Sequence, residues 1–347
     1  MRPKHSYLIL LLVLPLLASC AGIRYMSIET REPAQVTLPK SIKSVLIVNN
    51  VVQQPDDIGH EVKKLGKRAS DRTKASSDSI AIVYTEALAQ FLGEEEYFDN
   101  VYYNQDPLRK DNNFWQERPL TPEKMIELRN ESGADAVLSL DKLIMNTSRT
   151  DHFYQEGYIY GDLTGRVQST IRVYLPTIDG QIPAVQFNDS LAWEGYDIQN
   201  GRVYTEFILP SNEDAMKELA IYAAEKMTKV FSPHWEYQDR WLYTSMNSKM
   251  READVYANNN EWAEAITLWK ANFESERKKI NKAKAAHNIA TGYEMLDDMP
   301  NALKWATTAS DLMQEASSTN ALEARRALLY KTEVARRLDN SNKINMQ

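Results

Sequence analysis

The chain opens with two basic residues, Arg2 and Lys4, and an unbroken apolar run from Tyr7 to Ala18. That run is too short to cross a bilayer as a permanent helix and has the layout of an export signal over residues 1–19. Residues 20–40 show no sustained periodicity and read as a tether ending in an extended Pro33 to Pro39 segment. Ser44 to Val52 is a continuous β-branched and aliphatic run, suited to a strand buried on both faces. A basic, polar stretch follows, and Ser76, Ser77 and Asp78 then offer caps for a helix that carries Ile80, Val83, Tyr84, Ala87, Leu88 and Phe91 on one stripe and is closed by Gly93. Phe98 to Tyr103 reads as a short strand, Thr121-Pro122-Glu123 as a helix start with its stop at Gly133, and Ala136 to Met145 as another strand.

The sharpest pattern spans residues 162–173. Leu163, Gly165, Val167, Ser169, Ile171 and Val173 alternate with Asp162, Thr164, Arg166, Gln168, Thr170 and Arg172, the period of a half-exposed antiparallel strand. Asp179-Gly180 supplies a turn and Ala184 to Tyr196 runs back as a hairpin. Ser211 caps a helix whose Met216, Leu219, Ala220, Ala223, Met227 and Val230 keep 3.6 spacing until Pro233. Residues 41–235 are thus expected to form an α/β (α+β) domain of sheet and helices, and residues 236–347, where no strand pattern is read beyond Trp235, an all-α domain.

The apolar run ends in Leu17-Ala18-Ser19-Cys20, which resembles the lipobox of bacterial lipoproteins. The resemblance implies cleavage before Cys20, acylation of that cysteine and attachment to a membrane through lipid alone. Cys20 is the only cysteine in 347 residues, so no disulfide within the chain is available. Ala21-Gly22 provides neither an aspartate after the cysteine nor a nearby acidic run; by resemblance to lipoprotein sorting signals this favours a cell-envelope location at the periplasmic face of the outer membrane. The alternative is an ordinary secretory signal with an unrelated cysteine.

Beyond Trp235 the sequence repeats itself. Ala253-Asp-Val-Tyr256 with Trp262-Ala-Glu-Ala265-Ile266 aligns on Ala290-Thr-Gly-Tyr293 with Met299-Pro-Asn-Ala302-Leu303. The order of small residue, aromatic, turn and alanine resembles the tetratricopeptide repeat, with Asn260 and Asp297 where that repeat carries its turn glycine and no closing proline. A plain helical bundle is the alternative. Ala321, Ala324, Leu328, Ala335 and Leu338 would form the inner face of a terminal capping helix. In tetratricopeptide repeats the first helix of each pair lines a concave groove. The resemblance therefore places Met250, Asp254 and Asn258, with Lys284, His287, Thr291 and Glu294, on a partner-binding surface.

Composition allows one or two domain cores without disulfides: 43% of residues are hydrophobic and 26% charged, near the globular average. Loss of Arg2 and Lys4 with the leader makes the mature chain more acidic than the −7 of the whole, which argues against nucleic acid as a partner. Catalytic chemistry is thinly supplied. The four histidines outside the leader, His60, His152, His234 and His287, lie in separate segments with no metal-ligand spacing, and no nucleophile elbow is present. Gly59 to Arg68 departs from a phosphate-binding P-loop, with six residues between its glycines and Arg68 after Lys67. The basic cluster Lys63, Lys64, Lys67 and Arg68 remains a candidate anion site within a loop spanning 63–74, against the plainer reading of a solvated charge run.

The order of elements from Ser44 to Trp235 is loosely similar to the α/β lipoprotein domains of curli-secretion and penicillin-binding-protein-activator type. The chain as a whole resembles Bacteroidota envelope lipoproteins of unknown function with a helical-repeat tail. The expectation is a non-enzymatic, cofactor-free adaptor that presents its helical groove to another cell-envelope protein. The second expectation is a sensor that binds a small anion at the basic loop.

Overall fold

The computed structural model describes residues 22–153, 159–176, 184–197, 209–244, 247–316 and 321–346. The leader, Cys20 and the Asp179-Gly180 turn lie outside the described residues. The rest divides into two compact units, residues 34–233 and a second made of 22–33 with 234–346. The first strand, β1 (Ile23–Glu32), belongs to the second unit.

The α/β unit runs β2 (Ser44–Asn49), β3 (His60–Lys63), β4 (Asp71–Arg72), α1 (Ile80–Glu94), β5 (Asn100–Asn104), α2 (Pro122–Ser132), β6 (Ala136–Phe153), β7 (Ile159–Tyr174), β8 (Val185–Asp197) and α3 (Asn212–Phe231). β2 is parallel to both β5 and β6, while β6, β7 and β8 form an antiparallel meander. Helices α1 and α3 pack one face of the sheet through Tyr84, Leu88, Met216, Leu219 and Met227; Leu128 of α2 packs the other against Leu46, Val48 and Val137. Covered on both sides, all six residues of β2 are buried, as its unbroken apolar run requires.

Two helix starts follow their sequence signals. The Thr121 hydroxyl accepts from the Lys124 amide at 3.3 Å with Pro122 in the first turn, and Gly133, at φ 71°, closes α2 in the left-handed region. The Ser211 hydroxyl accepts from the Asp214 amide at 3.1 Å to start α3. Helix α1 differs from expectation. Its cap is Ser79, at φ 64°, because the Ser77 hydroxyl is spent on the Gln54 carbonyl at 2.7 Å, and Gly93 lies inside the helix. Strands β3 and β4 also correct the reading of the basic stretch as loop; they are too short and polar to carry a hydrophobic period.

In the second unit, β1 pairs antiparallel with β9 (His234–Tyr243) over ten residues, Ile23 opposite Tyr243 and Glu32 opposite His234. The segment read as tether therefore holds a ten-residue strand, and the boundary read at 235/236 falls inside another. Five helices follow: α4 (Ser248–Asn258), α5 (Trp262–Ser275), α6 (Lys279–Met295), α7 (Met299–Ala316) and α8 (Ala321–Met346), each packed on its successor. Small residues allow the close approach. Ala265 and Ala302 are fully buried, and a Cβ added at Gly292 would stand 2.7 Å from Ile266 of α5. Asn260 and Asp297, which stand at the turns, have φ of 63° and 57°, a conformation that these two residue types tolerate better than most. Tyr256 and Tyr293 are half-buried. In α8 the inner face is Ala327, Tyr330, Val334 and Asn340, whereas Leu328 is exposed, a rotation of the expected stripe that turns the Tyr330 hydroxyl to Glu294.

Candidate functional site

The groove expected on the helices is filled by the chain itself. β9 packs on α6 and β1 on α8, and Met250, His287, Thr291 and Glu294 are all buried. Glu294 accepts from Arg240 Nε at 2.9 Å and Nη2 at 2.8 Å, from Arg337 at 2.6 Å and from the Tyr330 hydroxyl at 2.9 Å. His287 Nε2 donates to the Trp241 carbonyl at 3.0 Å, and its ring stacks on Trp241 with centroids 4.5 Å apart. Thr291 and the Tyr330 hydroxyl are 3.1 Å apart. The Asn288 side chain takes the place of a strand, accepting from the Tyr243 amide and donating to its carbonyl, both at 2.8 Å. Of the remaining candidates, Asp254 is paired with Arg24 at 2.8 Å, the Lys284 ammonium sits 5.2 Å from the Tyr243 ring centroid, and Asn258 is exposed. Four of the seven expected partner residues are thus interior, which corrects the groove assignment. A buried polar group needs partners, and here they come from the ribbon and from α8.

Burial lowers the His287 pKa to about 4, a larger influence than the Trp241 hydrogen bond and the charge of Glu294 that pull it back up. The folded value lies below the unfolded one, so the stability this neutral ring contributes is complete above about pH 6.5 and is lost as pH falls from there toward 4. The helical unit should therefore melt at progressively lower temperature between pH 7 and 5, and His287→Phe should flatten that slope. Circular dichroism melts across this range check it; an unchanged slope in the variant would assign the dependence elsewhere.

The open site is in the α/β unit. On one edge of β6, β2 pairs with Ala136–Leu140 and β3 with Thr147–Thr150, because β7 occupies the other edge. Between them no strand among the described residues fills the edge. Instead the Gln54 side chain accepts from the Met145 amide at 2.8 Å and donates to its carbonyl at 2.7 Å, so one glutamine amide replaces a strand residue. The gap opens a cleft of about 510 Å³ at the carboxyl end of β2. Asn49, Gln53, Ser77 and Ser79 contribute neutral polar groups, and Val51, Val52, Ile80, Ile82, Leu143 and Met145 apolar ones. This is where open α/β sheets hold ligands. Ser79, left-handed without being glycine, is part of its wall.

Of the four charged residues in the lining, Asp56, Arg109, Lys110 and Asp111, two of each sign, Arg109 and Asp111 are committed to each other. Arg109 donates to Asp111 through Nε at 3.0 Å and Nη2 at 2.8 Å, and this hydrogen bonding takes the Asp111 pKa down to about 2. Behind the cleft, at an irregularity in the β6–β7 register between Leu140 and Lys142, the Asp141 carboxylate is fully buried; it accepts from Asn50 at 2.8 Å and Ser139 at 2.6 Å and pairs with Arg172, which also pairs with Glu117. Asn50 in turn donates to the Arg118 carbonyl at 2.8 Å, fixing the 109–118 loop that forms one wall.

Lys63, Lys64, Lys67 and Arg68 are exposed along the β3–β4 hairpin and none lines the cleft; Lys67 pairs with Asp71 at 2.5 Å. The loop that follows the carboxyl end of β2 is 50–59, nearer in sequence than the basic cluster. Among the described residues no group of three or more His, Cys, Asp or Glu side chains could hold a metal ion, and no helix is long and apolar enough to cross a membrane.

Residues 251–336 match the model of a domain of unknown function, DUF6340. No curated protein matches the chain. Residues 42–243, more than half of the sequence, match the model of another domain of unknown function, and the chain belongs to that family, DUF8603.

Proposed function

We propose that this chain is a membrane-anchored envelope lipoprotein that works by binding rather than catalysis, with its α/β unit taking a small ligand in the cleft beside β2. The reading keeps the lipid anchor at Cys20, the periplasmic face of the outer membrane and the absence of any nucleic-acid partner from the sequence, and moves the ligand site from the basic hairpin to the cleft. The observation that carries it is the unfilled β6 edge, where Gln54 stands in for a strand and leaves an open volume. Neutral hydrogen-bonding groups beside aliphatic ones fit a small uncharged molecule with amide or hydroxyl groups and an apolar side. N-acetylglucosamine and the capped dipeptide N-acetyl-alanyl-alanine amide are suitable probes. At millimolar concentration one of them should raise the melting temperature saturably, and Val52→Trp, which fills the cleft, should remove the effect. No shift with either probe, or a shift that survives Val52→Trp, would rule the cleft out for this ligand class.

A second reading keeps the helical unit as a tetratricopeptide-like adaptor for another envelope protein. What favours it is the apolar exposure of Leu322, Leu328 and Leu329 on α8, an outer surface distinct from the filled groove. The two readings separate by mutation: Leu329→Asp should abolish partner capture on the adaptor reading and leave probe binding intact.

A further inference from the structure

The outer face of the β1–β9 ribbon carries three largely exposed aromatic side chains. Side chains directly opposite in an antiparallel pair share a face, so Tyr25, Ser27, Glu29 and Arg31 of β1 face the same way as Trp235, Tyr237, Asp239 and Trp241 of β9, of which Trp241, opposite Tyr25, is half-buried with its ring on His287. The opposite face, with Ile28, Thr30, Glu32 and Arg240, is buried. Tyr25 is 67%, Trp235 60% and Tyr237 76% exposed, a rare density of bare aromatics on one two-stranded surface. The charges between them are partly quenched: the Arg31 guanidinium lies 6.0 Å from the Trp235 ring centroid, and hydrogen bonding to Glu29, its cross-strand neighbour, raises the Tyr237 pKa.

The position in the chain says what covers this face. Only Ala21 and Gly22 separate Cys20 from the first residue of β1, so even a fully extended backbone keeps Tyr25 within about 18 Å of Cys20. A lipid on that cysteine holds the ribbon at the depth of the headgroups, where tyrosine and tryptophan, apolar in body and polar at the tip, prefer to sit. We propose that the outer face of the β1–β9 ribbon is a membrane-contacting surface that lies against the lipid headgroups beside the anchor, with Tyr25, Tyr237 and Trp235 as interfacial contacts. The proposal rests on the lipoprotein reading. With Glu29 and Asp239 against Arg31, the face needs no anionic lipid, and its contact with zwitterionic bilayers should resist salt.

The sole native thiol supplies the test. In the full lipidated chain, acylation leaves Cys20 unreactive, so Ser27→Cys, which retains all three aromatics, can carry one nitroxide, with Glu264→Cys on exposed α5 as control. In vesicles of phosphatidylcholine and phosphatidylethanolamine, the label at position 27 should lose most of its collisions with a water-soluble nickel chelate, while the label at 264 keeps them. Replacing Tyr25, Tyr237 and Trp235 with serine should restore them at position 27. Equal accessibility at the two sites in vesicles would overturn the ribbon contact with the anchor intact. Protection at position 27 without vesicles would identify a protein as the occupant and overturn it too. A nitroxide taken up by unsubstituted Cys20, with no acyl mass on the chain, would overturn the anchor and the ribbon contact together.

Discussion

Replacing Glu294 with alanine should cost the helical unit about 3–5 kcal/mol, the loss expected when one member of a buried ion pair is removed and its partner stays behind. The Glu294 side chain is fully buried and that of Arg240 is 5% exposed, so neither has water to fall back on. Arg337 and the Tyr330 hydroxyl lose a partner as well. Burial alone would raise the Glu294 pKa, but the hydrogen bonds and charge of Arg240, with the charge of Arg337, outweigh it and hold the carboxyl below its ordinary value. Its contribution is therefore complete above the unfolded pKa of about 4.3 and is lost as pH falls through the lower folded value, beneath the window in which His287 acts. Urea denaturation followed by far-ultraviolet circular dichroism measures the cost. Glu294→Met with Arg240→Met and Arg337→Met should recover much of it, since an apolar set avoids the stranded charges. A loss under about 1 kcal/mol for Glu294→Ala would mean that the cluster is hydrated in solution.

Asp141→Ala should destabilise the α/β unit by about 3 kcal/mol, from donors left without an acceptor. The substitution leaves Arg172, whose side chain is 15% exposed, with Glu117 alone, and the Asn50 and Ser139 donors short of an acceptor. It should also loosen the cleft. Asn50 ties the exit of β2 to both Asp141 and the Arg118 carbonyl, so the 109–118 wall depends on the same carboxylate. Denaturation gives the first effect and limited proteolysis the second, with new cleavage expected between Asp106 and Pro119. A variant of normal stability with an uncut loop would show that the network contributes little.

Where local chemistry decides the structure, the sequence was legible. The alternation from Asp162 to Val173 is observed as β7, the caps at Thr121 and Ser211 function as read, and Ala265 and Ala302 are buried at matching places in successive helix pairs. The ribbon was missed although its signal was present: Trp235, Tyr237, Trp241 and Tyr243 alternate with Glu236, Gln238, Arg240 and Leu242. A run of aromatic and polar residues does not look like a core strand, and its partner lies some two hundred residues away. The groove was misplaced for a related reason. His287, Thr291 and Glu294 are polar and so read as solvated, but their partners Trp241, Arg240 and Tyr330 come from elements 36 to 54 residues distant. The cleft gave no periodic signal, because the feature that opens it is one glutamine side chain standing where a strand residue would be.

The filling of the helical groove by the chain's own ribbon decides where a ligand can bind, and amide hydrogen exchange followed by mass spectrometry tests it most directly. In peptides covering Met26–Thr30 and Arg240–Tyr243 about half of the amides should exchange as slowly as those of α6, since alternate residues of the two-stranded β1–β9 ladder are held by the partner strand and the Tyr243 amide by Asn288. Exchange of these peptides at the rate of exposed loops, with α6 still protected, would mean that the ribbon leaves the groove in solution and that Met250, His287, Thr291 and Glu294 are open to a partner after all.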